Sequence, residues 1–249
     1  MKTAAAIMAV LMLAACGKGG EAGGNSAAAN TAAPNATAGA PAANGDWTGT
    51  ITETEDGGFM IGNPQAKVKL VEYGSMTCPH CAAFATDGTP VLLERYVKNG
   101  QVSFEFRNFV RDGMDVSASL LARCGGPGPF FKLTEQMFAD QRNWMEKAIN
   151  LSKADQDRMK ALPVAEQLPA LASITGLDKF VRMRGITDAR VKACLNDEAA
   201  MNLLQQINKT AVDTYHITGT PGFVINGQLA EGVYNWETLE PRLQQALGG

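Results

Sequence analysis

The stretch Lys67-Val68-Lys69-Leu70-Val71-Glu72-Tyr73-Gly74-Ser75-Met76-Thr77-Cys78-Pro79-His80-Cys81 decides the reading of the chain. Its first seven residues form a strand candidate, bounded by Asn63-Pro64 before and Gly74 after. Val68, Leu70 and Glu72 share one face, so Glu72 is a candidate for burial. A helix is expected from about Pro79 to Lys98, kinked at Pro90. Val102 to Phe109 then alternates, with Val102, Phe104 and Phe106 on one face and Ser103, Glu105 and Arg107 on the other. Strand, helix, strand in this order predicts a βαβ unit in a partly parallel α/β sheet.

Two thiols at i and i+3 on a first helical turn can close a small disulfide ring. The helix N-terminus stabilises a thiolate at the first position, Cys78. His80 can add a hydrogen bond or a positive charge, and Pro79 suits the helix start. A purely structural bridge is an alternative. Half of a zinc site is another, disfavoured because no second C-x-x-C or His pair accompanies it.

Downstream, strand signals disappear between Asp115 and about Tyr215. Helices are expected over Val116–Cys124, Phe130–Gln141, Leu151–Leu162, Ala165–Ile174 and from Asp188 to about Thr214. Strands return at Phe223-Val224-Ile225 and Gln228-Leu229-Ala230, joined by Asn226-Gly227, a type I′ hairpin signal. A last helix carries Leu239, Leu243 and Leu247 on one face, with Thr238 as its expected cap and Pro241 in its first turn. Phe130, Phe131, Met137 and Phe138 read as core, as do most of the 11 methionines.

Upstream, Lys2 precedes a twelve-residue apolar run, Ala4–Ala15, too short to span a membrane. It ends Leu13-Ala14-Ala15-Cys16, which resembles a bacterial lipobox. That resemblance implies a signal peptide over 1–15 and a lipidated Cys16, with an ordinary small-residue cleavage site as the alternative. Of the thirty residues 17–46, 22 are Ala, Gly or Asn, and no large apolar side chain occurs among them. They read as a flexible tether of roughly 30 Å reach. Folding is expected from about Trp47 to Gly249. With 45% hydrophobic residues, a net charge of −3 and two histidines, the chain is globular, offers no basic surface for nucleic acid and has no histidine-rich metal site. No metal or cofactor is expected.

Glu72 to Cys81 resembles the active-site segment of DsbA-like thiol–disulfide oxidoreductases, and Gly219-Thr220-Pro221-Gly222-Phe223-Val224-Ile225-Asn226-Gly227 is similar to that family's cis-proline loop. The resemblance covers about 60–249. It implies a thioredoxin fold with an inserted helical domain: 47–114 and 185–249 forming the thioredoxin part, and 115–184 the insertion. It implies Cys78 as an exposed nucleophile, Cys81 as its buried resolving partner and Pro221 as the cis-proline whose loop, beginning at Thr220, pairs with client backbone. Glu72 matches the family's buried acid, which moves protons to and from the Cys81 side; a surface ion pair is the alternative. Cys124 and Cys194 are left over. Leftover cysteines in an oxidising compartment usually pair, and some relatives carry a second disulfide in the helical region; two buried free thiols are the alternative. His216 is assigned no role.

The expected activity is disulfide transfer to reduced or misoxidised secreted clients, with recycling by a membrane redox partner. A monomer is expected, facing the periplasm and held by lipid, at the outer membrane rather than the inner because Gly17, not Asp, follows Cys16. Two rivals stay open: an isomerase or reductase of the same fold, and a client-binding holdase that does not use its thiols.

Overall fold

The strand that leads to Cys78 is β3 (Val68–Gly74), and β4 (Val102–Asn108) runs parallel to it, pairing Leu70 with Phe104 and Glu72 with Phe106. These strands and the helical run between them form the expected βαβ unit. A computed structural model describes residues 45–248. The expectations placed on residues 1–44, including the signal peptide, Cys16 and most of the tether, lie outside the described residues. Among the described residues no helix is long and apolar enough to cross a membrane.

The sheet has six strands in the order β1-β2-β4-β3-β5-β6. β1 (Ile51–Glu53) and β2 (Phe59–Ile61) extend one edge, antiparallel to each other and to β4. On the other side β5 (Gly222–Ile225) pairs antiparallel with β3 and then with β6 (Gln228–Leu229). Asn226 and Gly227 turn between them with φ of 49° and 82°, the positive values a type I′ turn requires.

One sheet face carries Val68, Leu70, Val102, Phe104, Phe106 and Phe223, and packs on Phe84, Leu92, Leu239 and Leu243. Each such aromatic or aliphatic side chain contributes about 1.5–3 kcal/mol when fully buried. The other face carries Tyr73 and Val224 against Ile207, Ala211 and Ile217. That second face is polar yet covered on β4, where Glu105 and Arg107 are both buried and paired at 2.7 Å, with Tyr73 Oη accepting from Arg107 at 2.9 Å.

The helical run after Cys78 differs from a kinked α-helix. It passes from α1 (Pro79–Ala83) through a π-type turn (Phe84–Gly88), α2 (Thr89–Leu92) and a second π-type turn (Leu93–Val97). Pro90 opens α2, where its missing N–H costs least. Then follow α3 (Gly113–Arg123), α4 (Pro127–Ala139), α5 (Gln141–Ile149), α6 (Lys153–Ala161), α7 (Val164–Thr175) and α8 (Leu177–Arg182). The single long helix expected from Asp188 is two, α9 (Asp188–Leu195) and α10 (Glu198–Asp213), because Asp197 accepts from Ala200 N and starts a new helix. The last helix, α11 (Trp236–Leu247), is capped by Asn235 rather than Thr238, so Pro241 lies inside it; Leu239 and Leu243 are fully buried as expected.

Candidate active site

β3 ends at Gly74, where a Cβ would stand 2.5 Å from the Phe106 ring and 2.9 Å from Glu72 Oε1, so only glycine fits. The chain then crosses Ser75-Met76-Thr77 and enters α1, with Cys78 as the N-cap and Pro79 at its start. Cys78 is only 3% exposed, more enclosed than its expected role as an open nucleophile, and Cys81 is fully buried. The His80 side chain is exposed. Pro221 follows a cis peptide bond, and the carbonyl of Thr220 lies 3.2 Å from Cys78 Sγ. Thus Cys78, Cys81, Thr220 and Pro221 meet at one place, although more than 130 residues separate the two segments.

The two thiols have opposite acidities. Cys78 is pulled down to about 5, first by hydrogen bonding from the Cys81 thiol and then by the Thr220 side chain and the backbone N–H groups of Cys81 and His80, against the opposing effect of burial. These groups favour the thiolate. Cys81 is pushed well above the usual thiol range by burial, by its bond to Cys78 and by the charges of Glu72 and Cys78. The backbone N–H of Ser75, 3.4 Å from Cys81 Sγ, pulls the other way.

Glu72 is 2% exposed, between Phe106 and Phe223 in the sheet, and is therefore no surface ion pair. Burial and the charge at Cys78 raise its carboxyl well above the ordinary range, with Cys81 pulling the other way.

A group without a distinctive sequence signal anchors the loop. The Asp115 carboxylate, wholly buried at the start of α3, accepts from Ser75 Oγ at 2.6 Å, Met76 N at 2.9 Å and Arg111 N at 3.1 Å. Arg111 donates to Thr77 Oγ1 at 2.7 Å, and Gln141 Nε2 donates to the carbonyls of Met76 and Cys78 at 2.8 and 3.0 Å. In the sequence, Asp115 stands just before an expected helix, where an acidic residue is ordinary. Burial pushes Asp115 up to about 6 despite its three donors.

Cys124 and Cys194 form a disulfide between the end of α3 and α9, with Cα atoms 5.7 Å apart. A groove of about 380 Å³ beside the Thr220-Pro221 bond is lined by Gly219, Gly222, Val233 and Tyr234. The larger groove, about 570 Å³, lies over the opposite sheet face near Glu53, Arg107 and Asn226 and touches neither cysteine of the pair.

Residues 54–245 match the thioredoxin family model. The chain belongs to the thioredoxin family. A crystal structure of a protein-disulfide isomerase from Novosphingobium aromaticivorans is 33% identical, covering 76% of this chain and 97% of that one, with a TM-score of 0.72. Wolbachia pipientis alpha-DsbA1 shares the fold at 21% identity and a TM-score of 0.59, over 76% of this chain and 90% of that one. A protein-disulfide oxidoreductase of Rickettsia conorii is 26% identical over 196 residues, 78% of this chain. The chain spans 62% of that relative's length.

Proposed function

We propose that this DsbA-like chain is a thiol–disulfide oxidoreductase that works as an oxidase, passing a Cys78–Cys81 disulfide to client proteins. The observation that carries this reading is the split between the two thiols, Cys78 held as thiolate and Cys81 held protonated, at a helix start beside a cis-proline. A client thiolate attacks Cys78 Sγ, the Cys78–Cys81 bond breaks, and Cys81 leaves and takes a proton supplied through Glu72. The result is a mixed disulfide between Cys78 and the client. A second client thiolate attacks the client sulfur, forming the client disulfide and expelling Cys78 as its stabilised thiolate. Low basicity at Cys78 makes it a good leaving group and makes the disulfide oxidising. A membrane redox partner then removes two electrons from the dithiol.

In this reading the Thr220-Pro221 loop lies along the client backbone. Pro79 and His80 shape the helix start, and Cys124–Cys194 is structural. Residues 47–114 and 185–249 make the thioredoxin part and 115–184 the helical insertion. Residues 1–15 are the signal peptide, Cys16 is lipidated, and the tether holds the enzyme on the periplasmic side of the cell envelope, at the outer membrane.

An isomerase is the second reading, favoured by the name of the Novosphingobium neighbour. Reduced and scrambled ribonuclease A separate the two. The oxidase converts the reduced form faster, Cys78→Ala abolishes exchange, and Cys81→Ala accumulates mixed disulfide. Equal trapping by both variants, or full activity of either, refutes the proposal. Faster rescue of the scrambled form favours the isomerase.

A further inference from the structure

The carbonyls of Met76 and Cys78 meet at one side chain. Gln141, the first residue of α5, donates through Nε2 to Met76 O at 2.8 Å and to Cys78 O at 3.0 Å. Both partners are carbonyl oxygens, so only the NH₂ end of the amide fits there, and both of its protons are used. Gln141 is 6% exposed, and Met76 is fully buried. On the amide side of the same residue, Met76 N donates to Asp115 of α3 at 2.9 Å. Two helices therefore grip this loop, α3 through an N–H and α5 through two carbonyls.

The Gln141 amide does not serve its own helix. Trp144, one turn further along α5, is buried and donates Nε1 to Met137 O of α4 at 2.8 Å, which ties α5 to α4. Gln141 reaches away from that pair to the loop. Cys78 is the N-cap of α1, extended at φ −90° and ψ 122°. An extended N-cap turns its side chain towards the first-turn N–H groups. Those of His80 and Cys81 favour the Cys78 thiolate, and they do so only while the Cys78 backbone keeps this orientation. Two donors fix its carbonyl, Ala82 N at 3.1 Å, which closes the first helical turn, and Gln141.

We propose that Gln141 is a positioning residue for Cys78, its amide holding the Met76 and Cys78 carbonyls so that the N–H groups at the start of α1 stay aimed at Cys78 Sγ as it is expelled. The inference rests on the proposed exchange, in which Cys78 leaves as a thiolate, and adds the residue that keeps the helix start in place. Gln141 touches no reacting atom and acts through the backbone. Without its NH₂ the segment Met76–Cys78 can turn, and the N–H dipoles lose their aim. The reduced protein suffers more than the oxidised one, because the disulfide carries no charge at Cys78.

The test uses the full chain with Gln141→Met, which keeps the length and removes both donors, and with Trp144→Phe, which removes a buried hydrogen bond from the same helix. Thiolate absorbance against pH, equilibration with glutathione, and urea unfolding of the oxidised form are measured for each. Gln141→Met is expected to disfavour the Cys78 thiolate about tenfold, the scale of one lost hydrogen bond to a charged group. Its midpoint then rises by about one pH unit and the potential falls by about 30 mV. Trp144→Phe is expected to unfold at lower urea and leave both readings unmoved. The charged or titratable groups around Cys78 are Cys81, Glu72 and Arg111 beside Thr77, and they are the same in all three proteins. An unmoved midpoint in Gln141→Met, with wild type near 5, overturns the inference and leaves the proposed function standing. A wild-type midpoint at the ordinary thiol value of about 8.5 removes that function, and the inference with it. Equal shifts in both variants assign the effect to a loosened α5 and also overturn the inference. Nitrogen-15 NMR of the reduced wild-type protein gives a check that does not depend on how the variants fold. The Gln141 NH₂ protons are expected to resist exchange and to shift with the Cys78 titration; fast exchange, or no shift through that midpoint, refutes the proposal.

Discussion

Asp115→Asn tests whether the loop before Cys78 is held by a buried carboxylate. In the folded protein burial raises Asp115 from 3.8 to about 6. A tenfold change in acidity corresponds to about 1.36 kcal/mol, so ionising Asp115 in the folded state costs about 3 kcal/mol relative to the unfolded chain. The folded pKa is the higher one. The associated stability is therefore fully present below about pH 4 and is lost as pH rises through about 6. Asparagine removes this titration. It also presents an NH₂ where one carboxylate oxygen accepted from Ser75 Oγ and Arg111 N. The Ser75 hydroxyl can turn, but the Arg111 N–H cannot, and one unpaired N–H costs about 1–3 kcal/mol. Wild type should accordingly be the more stable by about 1–3 kcal/mol at low pH. Its advantage should shrink by about 3 kcal/mol between about pH 4 and pH 8, reaching zero or reversing. Urea unfolding of both proteins across that range measures the difference directly. The oxidised form is used so that Cys78 and Cys81 do not titrate, and other carboxyls cancel between the pair. A stability difference independent of pH would refute the assignment.

Three further outcomes are expected. Thiolate absorbance should place Cys78 near 5, so the reduced fold gains stability as pH rises from about 5 towards 9. Thr220→Val should raise that midpoint by about one pH unit, the loss of one hydrogen bond to a charged group, and lower the potential by about 30 mV; the exposed His80 imidazole should matter less, and an unmoved midpoint in Thr220→Val would count against the site. Replacing Cys124 and Cys194 by alanine should cost about 4 kcal/mol for a separation of 70 residues, seen in urea titration, with exchange at Cys78 unchanged. Cys16→Ala should move the protein from the membrane to the soluble periplasmic fraction with its redox activity intact; retention on membranes would sink the anchor.

Local chemistry explains which parts of this fold are legible in the sequence. β3, β4 and the Asn226-Gly227 hairpin announce themselves because alternation and a positive-φ turn are written in adjacent residues. β1 and β2 do not, since three residues carry too little periodicity and exist only by pairing onto β4. The break between α9 and α10 had a signal in Asp197, hidden because helical periodicity continues on both sides of it. The polar face of β4 gave no sign that Glu105 and Arg107 would be buried together, because their partners Asp56 and Tyr73 come from elsewhere in the chain. Asp115 and Gln141 escaped for the same reason: their importance is a matter of which loop they reach, and only the packed helices decide that.

The site works by setting two identical side chains apart, and the fold does this with position alone. Cys78 stands at a helix N-cap, where backbone N–H groups point outward, and it gains the Thr220 side chain from the distant cis-proline loop. Cys81 sits one turn further in, fully buried, with the Glu72 carboxyl nearby and a single backbone donor at 3.4 Å. The proton therefore resides on Cys81, and the Cys81 thiol in turn hydrogen-bonds the Cys78 thiolate, so each acidity reinforces the other. Breaking the disulfide consequently yields one stabilised anion and one site that must be supplied with a proton. In the proposed oxidase the first makes the bond oxidising. The second gives the buried Glu72 carboxyl its proposed role, the supply of that proton.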